Sequence, residues 1–130
     1  MGNAELVRAG YEALDAKGVD GFIDFIHPDF ETTTPATLAA EPDTYTGHEG
    51  IRRYFASFYE AMDEVRFEPK RLTEIAGDKV MAETVLHARG RATGIETEQE
   101  VVMLWTIRDG KGYRVETFAT VDEARAAAAS

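Results

Sequence analysis

Glu83 and His87 are the residues of this chain whose types best suit proton transfer. Both lie on one parity of a strand-like stretch from Lys79 to Arg91. Along a strand successive side chains alternate, so Met81, Glu83, Val85, His87 and Arg89 point one way, and Val80, Ala82, Thr84, Leu86 and Ala88 the other. The second set is the cleaner apolar face and is expected to pack on another sheet. The first set mixes ionisable groups with hydrophobes, as the wall of a small-molecule pocket would. Four residues at about 3.3 Å each put Glu83 and His87 about 13 Å apart. They cannot share a hydrogen bond, but they can reach two ends of one bound molecule, with Glu83 as a base raised by its apolar setting and His87 as acid or polariser. Tyr11, on the buried stripe of the first helix, would add a hydroxyl. In the plainer reading Glu83 pairs with an arginine or a tyrosine and His87 is a satisfied polar group.

The elements that must hold these groups follow from periodicity. Leu6, Val7, Gly10, Tyr11 and Leu14 recur at three and four, which predicts a helix over Ala4 to Ala16. Asp20 to Ile26 predicts a second helix, stopped by Pro28, and Phe30 to Thr34 a short strand. Pro35 to Tyr45 has no period and predicts a surface loop. Ile51, Phe55, Phe58, Tyr59 and Met62 form the stripe of a helix over Glu49 to Met62. Four strands are then expected: Arg66 to Ala76, Val80 to Arg91, Glu98 to Arg108 and Tyr113 to Thr120. The turn signals Gly77-Asp78 and Asp109-Gly110-Lys111-Gly112 predict an antiparallel sheet, with Pro69 marking an edge strand. The tail after Val121 offers little to bury and predicts a short, fraying helix.

Registering the hairpins sorts the faces. A turn centred near Ile95 places His87 opposite Met103 and Glu83 opposite Ile107, and one centred near Gly110 places Trp105 opposite Val115 and Met103 opposite Thr117. Glu83, Val85, His87, Met103, Trp105, Val115 and Thr117 then share the pocket face. Trp105, Met103, Tyr54, Phe55 and Phe58 make its apolar wall, or serve equally as core. The opposite face gathers Val80, Leu86, Val102, Leu104 and Phe118, each worth about 1.5–3 kcal/mol when buried. Left bare it invites a second copy, so a homodimer through that face is expected.

Composition narrows the function classes. The chain has 130 residues, 24 acidic against 14 basic, a formal charge of -10 and no cysteine. One domain with its own core is expected. Nucleic-acid binding is disfavoured, since the field repels phosphates and the cations are not clustered. Disulfides and thiolate chemistry are excluded, and His27, His48 and His87 are spaced too widely for a metal motif, so no metal or other cofactor is expected. No apolar run reaches a membrane-spanning length, and no signal pattern opens the chain; a cytoplasmic protein is expected.

Four segments carry a resemblance: Tyr11-Glu12-Ala13-Leu14-Asp15-Ala16-Lys17-Gly18, His27-Pro28-Asp29-Phe30, Gly47-His48-Glu49-Gly50-Ile51-Arg52, and Trp105-Thr106-Ile107-Arg108-Asp109-Gly110-Lys111. Spread over nearly the whole chain, they resemble the nuclear transport factor 2-like superfamily, and its SnoaL-like proteins most closely. The resemblance implies an α+β cone, a strongly curved antiparallel sheet wrapped around three helices, with an internal pocket and often a dimer through the convex face. Its members include ketosteroid isomerases, polyketide cyclases, epoxide hydrolases, dehydratases and proteins that only bind. The oxyanion-binding tyrosine of the isomerases matches Tyr11. Their general base falls on Thr34 and their protonated aspartate on Met103, neither of which can do that work. The last strand also lacks the inward acid of a SnoaL-type cyclase: Glu116 has the wrong parity and Asp122 lies beyond it. What remains implied is a small, largely apolar ligand, with cofactor-free acid/base chemistry by Glu83, His87 and Tyr11, or a pocket that binds without converting.

Overall fold

The computed structural model describes residues 2–33 and 44–129, without the side chains of Thr33, Phe58 and Ala61. The elements run α1 (Asn3–Lys17), α2 (Val19–Ile23), β1 (Ile26–Thr33), β2 (Thr44–Thr46), α3 (Gly47–Ala61), β3 (Met62–Ile75), β4 (Lys79–Gly90), β5 (Glu96–Arg108), β6 (Lys111–Phe118) and α4 (Val121–Ala128). Six strands form one curved, unclosed sheet in the order β2-β1-β6-β5-β4-β3. The α+β cone expected from sequence is the fold observed. No helix among the described residues is long and apolar enough to cross a membrane.

Local chemistry accounts for most boundaries. Gly18, with φ at +71°, ends α1 and starts α2 in the left-handed conformation that glycine adopts without strain. The second helix is shorter than its periodicity suggests: Ile26 already pairs with Gly112, so β1 begins ahead of Pro28. This β1–β6 pairing is parallel, a correction to the wholly antiparallel sheet expected from the turns. Asp109 and Gly110, both at positive φ, join Arg108 to Lys111 in the two-residue turn that suits hairpin twist. A one-residue bulge between Thr106 and Ile107 then shifts the ladder, and beyond it the predicted register holds: Trp105 faces Val115 and Met103 faces Thr117. Pro69 does sit on an edge strand, β3.

The β4–β5 hairpin differs. Gly90 donates to the carbonyl of Ile95 across an Arg91–Gly94 loop, and the ladder pairs Val80 with Trp105, Ala82 with Met103, Glu83 with Val102 and His87 with Glu98. The offset from the expected pairing is an odd number of residues, and an odd offset exchanges the faces of a strand. Val80, Ala82 and Leu86 accordingly belong to the interior, with Met103, Trp105 and Val115, beneath α1–α3. Glu83, Val85 and His87 are on the convex side.

That convex side has its own small core. Met81, Val102 and Leu104 pack with Ala124 and Ala128 of α4, flanked by Ile75, Phe118, Val121 and Ala127. The tail is a docked helix rather than one with little to bury. Thr120 caps it, accepting from the Glu123 amide at 3.2 Å and donating to the Glu123 carboxylate at 3.1 Å, and the alanines let the helix approach the sheet closely. The bare apolar face that argues for a homodimer is thus altered in two ways. Val80 and Leu86 face the interior, and Leu104, fully buried, is covered by the chain's own last helix.

Candidate functional site

The interior of the cone is an aromatic box centred on Tyr11. α1 places Tyr11 within 6.1 Å, ring to ring, of Phe22 and Trp105 and 6.2 Å of Phe67. Phe55 stands edge-on to Phe22, Phe67 and Tyr54, and Phe30 lies 6.1 Å from Trp105. Edge-to-face contacts at these distances are the favoured geometry of aromatic pairs. The order of the box follows from the chain: α1 and α2 each turn one aromatic residue inward, Tyr11 and Phe22, and α3 turns Tyr54 and Phe55, while alternate residues of β1, β3, β5 and β6 rise to meet them.

The polar groups inside are few, and several are matched. Trp105 Nε1 donates to the Tyr11 hydroxyl at 3.0 Å, and that hydroxyl donates onward to Met103 Sδ at 3.2 Å. Thr32 Oγ1 donates to the Val115 carbonyl at 2.8 Å. Burial pushes the Tyr11 hydroxyl well above the ordinary tyrosine pKa; the Trp105 donor pulls weakly the other way. Tyr54 is raised for the same reason, with Tyr45 adding to the shift. Both phenols are therefore neutral donors at physiological pH, suited to bind a carbonyl or phenolic oxygen rather than to act as bases.

Two cavities of about 20 Å³ each flank this box. Tyr11, Phe22, Phe30, Thr32, Tyr54 and Met103 are among the residues lining one, and Leu6, Gly10, Phe25 and Ile107 are among those lining the other. Trp105 and Phe22 border both. Each has room for about one water. Gly112 is what admits the indole, since a Cβ there would lie 2.8 Å from Trp105 Cζ3.

Of the residues singled out from sequence, Tyr11, Trp105, Met103, Tyr54, Phe55 and Val115 come together at this cavity. Thr117 shares their strand face but does not line it. Thr34 and the Phe58 side chain lie outside the described residues. Glu83, His87 and Val85 are corrected: the hairpin register turns them away from the box. Phe22, Phe30, Thr32, Ile51 and Phe67 line the cavity without having been singled out. The parity of Phe30 and Thr32 along β1 was the available signal.

On the convex face His87 lies between two carboxylates, Nε2 at 2.8 Å from Glu68 and Nδ1 at 3.3 Å from Glu98. Glu83 is 3.9 Å from Arg71. Hydrogen bonds from His87 and then Lys70 hold the Glu68 carboxyl below its ordinary value of 4.5. A depressed carboxyl contributes stability above its unfolded pKa and loses it as pH falls through the folded one. His87→Ala should therefore move the Glu68 titration upward, toward 4.5, in a carboxyl-detected NMR titration. An unmoved midpoint would show that His87 is not the cause.

Comparison with known proteins fits the cone. A sequence profile of the SnoaL-like domain matches residues 7–115. The chain belongs to the SnoaL-like domain family. Among solved structures, an NTF2-like protein from Burkholderia thailandensis E264 is 26% identical, with a TM-score of 0.80, covering 100% of this chain and 98% of its own. TerC, crystallised with polyporic acid, is 25% identical with a TM-score of 0.78, covering 97% of each chain. RV0760c from Mycobacterium tuberculosis, in complex with estradiol-17beta-hemisuccinate, is 14% identical with a TM-score of 0.72, covering 90% of this chain and 92% of its own. No curated protein matches. In this SnoaL-like domain the described lining of the cavity carries hydroxyls but no carboxylate.

Proposed function

We propose that this SnoaL-like domain binds a small, largely apolar ring compound inside the cone, with the Tyr11 hydroxyl donating to an oxygen of the ligand. The observation that carries the reading is the aromatic box with a phenol held neutral at its centre. A flat ring system is what edge-to-face aromatics surround well, and a single placed donor orients it. The Tyr11 proton now rests on a thioether sulfur, a weak acceptor, so a carbonyl or phenolic oxygen is a better partner. Met103 is flexible, and its displacement both frees that proton and opens the small cavity. The complex of TerC with polyporic acid supports a ring ligand, being a structure of the same fold at 25% identity.

Binding without turnover is the better-supported form of the reading. Glu83 and His87, the base and acid read from sequence, are on the other face of β4, and the described lining of the cavity holds neither a carboxylate nor an imidazole. Trp105 is the sole tryptophan, so its emission reports the box directly. Titration with polyporic acid should quench that emission saturably. Tyr11→Phe should weaken binding about tenfold, the loss of one hydrogen bond of about 1.5 kcal/mol. Glu83→Gln should bind as wild type. Absence of saturable quenching, or a Tyr11→Phe protein that binds equally well, overturns the reading.

A further inference from the structure

Among the described residues, the outer half of β5 is an open strand edge. β5 pairs with β4 along its length, from Glu96 opposite Arg89 to Thr106 opposite Lys79. On its other side β6 joins only at Val102, opposite Phe118, after which the chain leaves for α4. Among the described residues nothing pairs with that side of Glu96–Val101, and residues 96–100 are all exposed.

The phase of the ladder shows which backbone groups are open. Gly90 bonds to the Ile95 carbonyl, so in an antiparallel pair the residues bonded to β4 are Ile95, Thr97, Gln99 and Val101. The Ile107 amide, of the same parity, also points to the β4 side, bonding the Asp78 carbonyl. Glu96, Glu98 and Glu100 therefore turn both their N–H and C=O groups away from β4, into the open edge. Their side chains stand in a row on the convex face, with His87 beside Glu98 and Arg89 within electrostatic reach of Glu96. Beyond them lies a groove of about 240 Å³ lined by Lys70, Glu83, Val85, Glu100, Ala119 and Val121, among others.

We propose that this edge accepts an extended basic peptide segment as an added antiparallel strand, continuing the line of β6, with lysine or arginine at alternate positions opposite Glu96, Glu98 and Glu100. The open N–H and C=O groups supply the pairing, as exposed strand edges do. The three carboxylates choose the sign of the partner. They also disfavour a second copy of this chain, since antiparallel self-pairing sets glutamate against glutamate.

The test uses a seven-residue synthetic peptide alternating lysine with threonine and valine. Its controls are a glutamate-for-lysine peptide and the lysine peptide N-methylated on the nitrogens that would face β5. At saturation with the lysine peptide, hydrogen exchange of the Glu96, Glu98 and Glu100 amides should slow at least tenfold, while that of Thr97 and Gln99, already bonded to β4, should change little. The N-methylated peptide, of equal charge, and the Glu98→Lys/Glu100→Lys protein should each bind at least tenfold more weakly. Equal binding of the N-methylated peptide, or unchanged exchange at the three glutamates, would reduce the interaction to charge adhesion and overturn the proposal. So would no binding at millimolar peptide.

Discussion

Trp105→Ala should lower the unfolding free energy by about 3–5 kcal/mol, the range for deleting a fully packed large aromatic. The indole is 4% exposed and forms the wall between two cavities, so its removal merges them. Tyr11, Phe22 and Phe30 each lose a ring neighbour at 6.1 Å. The Tyr11 hydroxyl also loses the donor it accepts from. Gly112, which has no side chain, cannot fill the space from below. Urea unfolding followed by circular dichroism checks the value, since the fluorophore itself is gone. A loss under 1 kcal/mol would mean that the helices collapse onto the sheet and that the box has no fixed shape.

The second large effect is expected from Ala124→Asp. Ala124 is fully buried against the convex core of Met81, Val102 and Leu104. A carboxylate there meets no cation among the residues of that core, and burying it unpaired costs several kcal/mol. Undocking α4 is the way out. The expected result is a loss of about 2–4 kcal/mol together with concentration-dependent self-association, because the bared sheet face then resembles an interface core. Sedimentation velocity read beside thermal melting separates the two. A chain ended after Thr120 should self-associate in the same way. A variant with the parent's sedimentation and the parent's stability would show that α4 does not protect the sheet.

The limits of the sequence are visible in two turns and one helix. Asp109-Gly110 names its own geometry, since two residues at positive φ make a two-residue hairpin, but the expected pairing of Trp105 with Val115 is reached only through a bulge between Thr106 and Ile107 that the sequence does not announce. Arg91-Ala92-Thr93-Gly94 does not name its geometry. The loop closes at Gly90 and Ile95, where four residues of mixed character allow several closures, and an odd slip moves Glu83 and His87 from pocket to exterior. The alternation within β4 was plain, but which face was inner depended on that one loop. For α4, Thr120 is a legible cap, yet alanine-rich faces look empty until a sheet stands close enough to be covered by them. Tyr11, Trp105 and Met103 were found because large inward residues on different elements converge wherever the interior is. The box depends little on register details, and the acid/base pair depended on them wholly.

The parallel pairing of β1 with β6 bears on the order in which the chain assembles. Strands β3, β4, β5 and β6 follow one another through short turns and can zip up from local encounters. β1 is expected to follow, since its partner is made of residues near the far end of the chain and a meander already formed shortens the loop that Ile26 must close to reach Gly112. Closure of the cone is thus expected to come late, as a long-range event that completes the ring of aromatics around Tyr11. Newly made chains would present a finished four-strand meander before they own an interior.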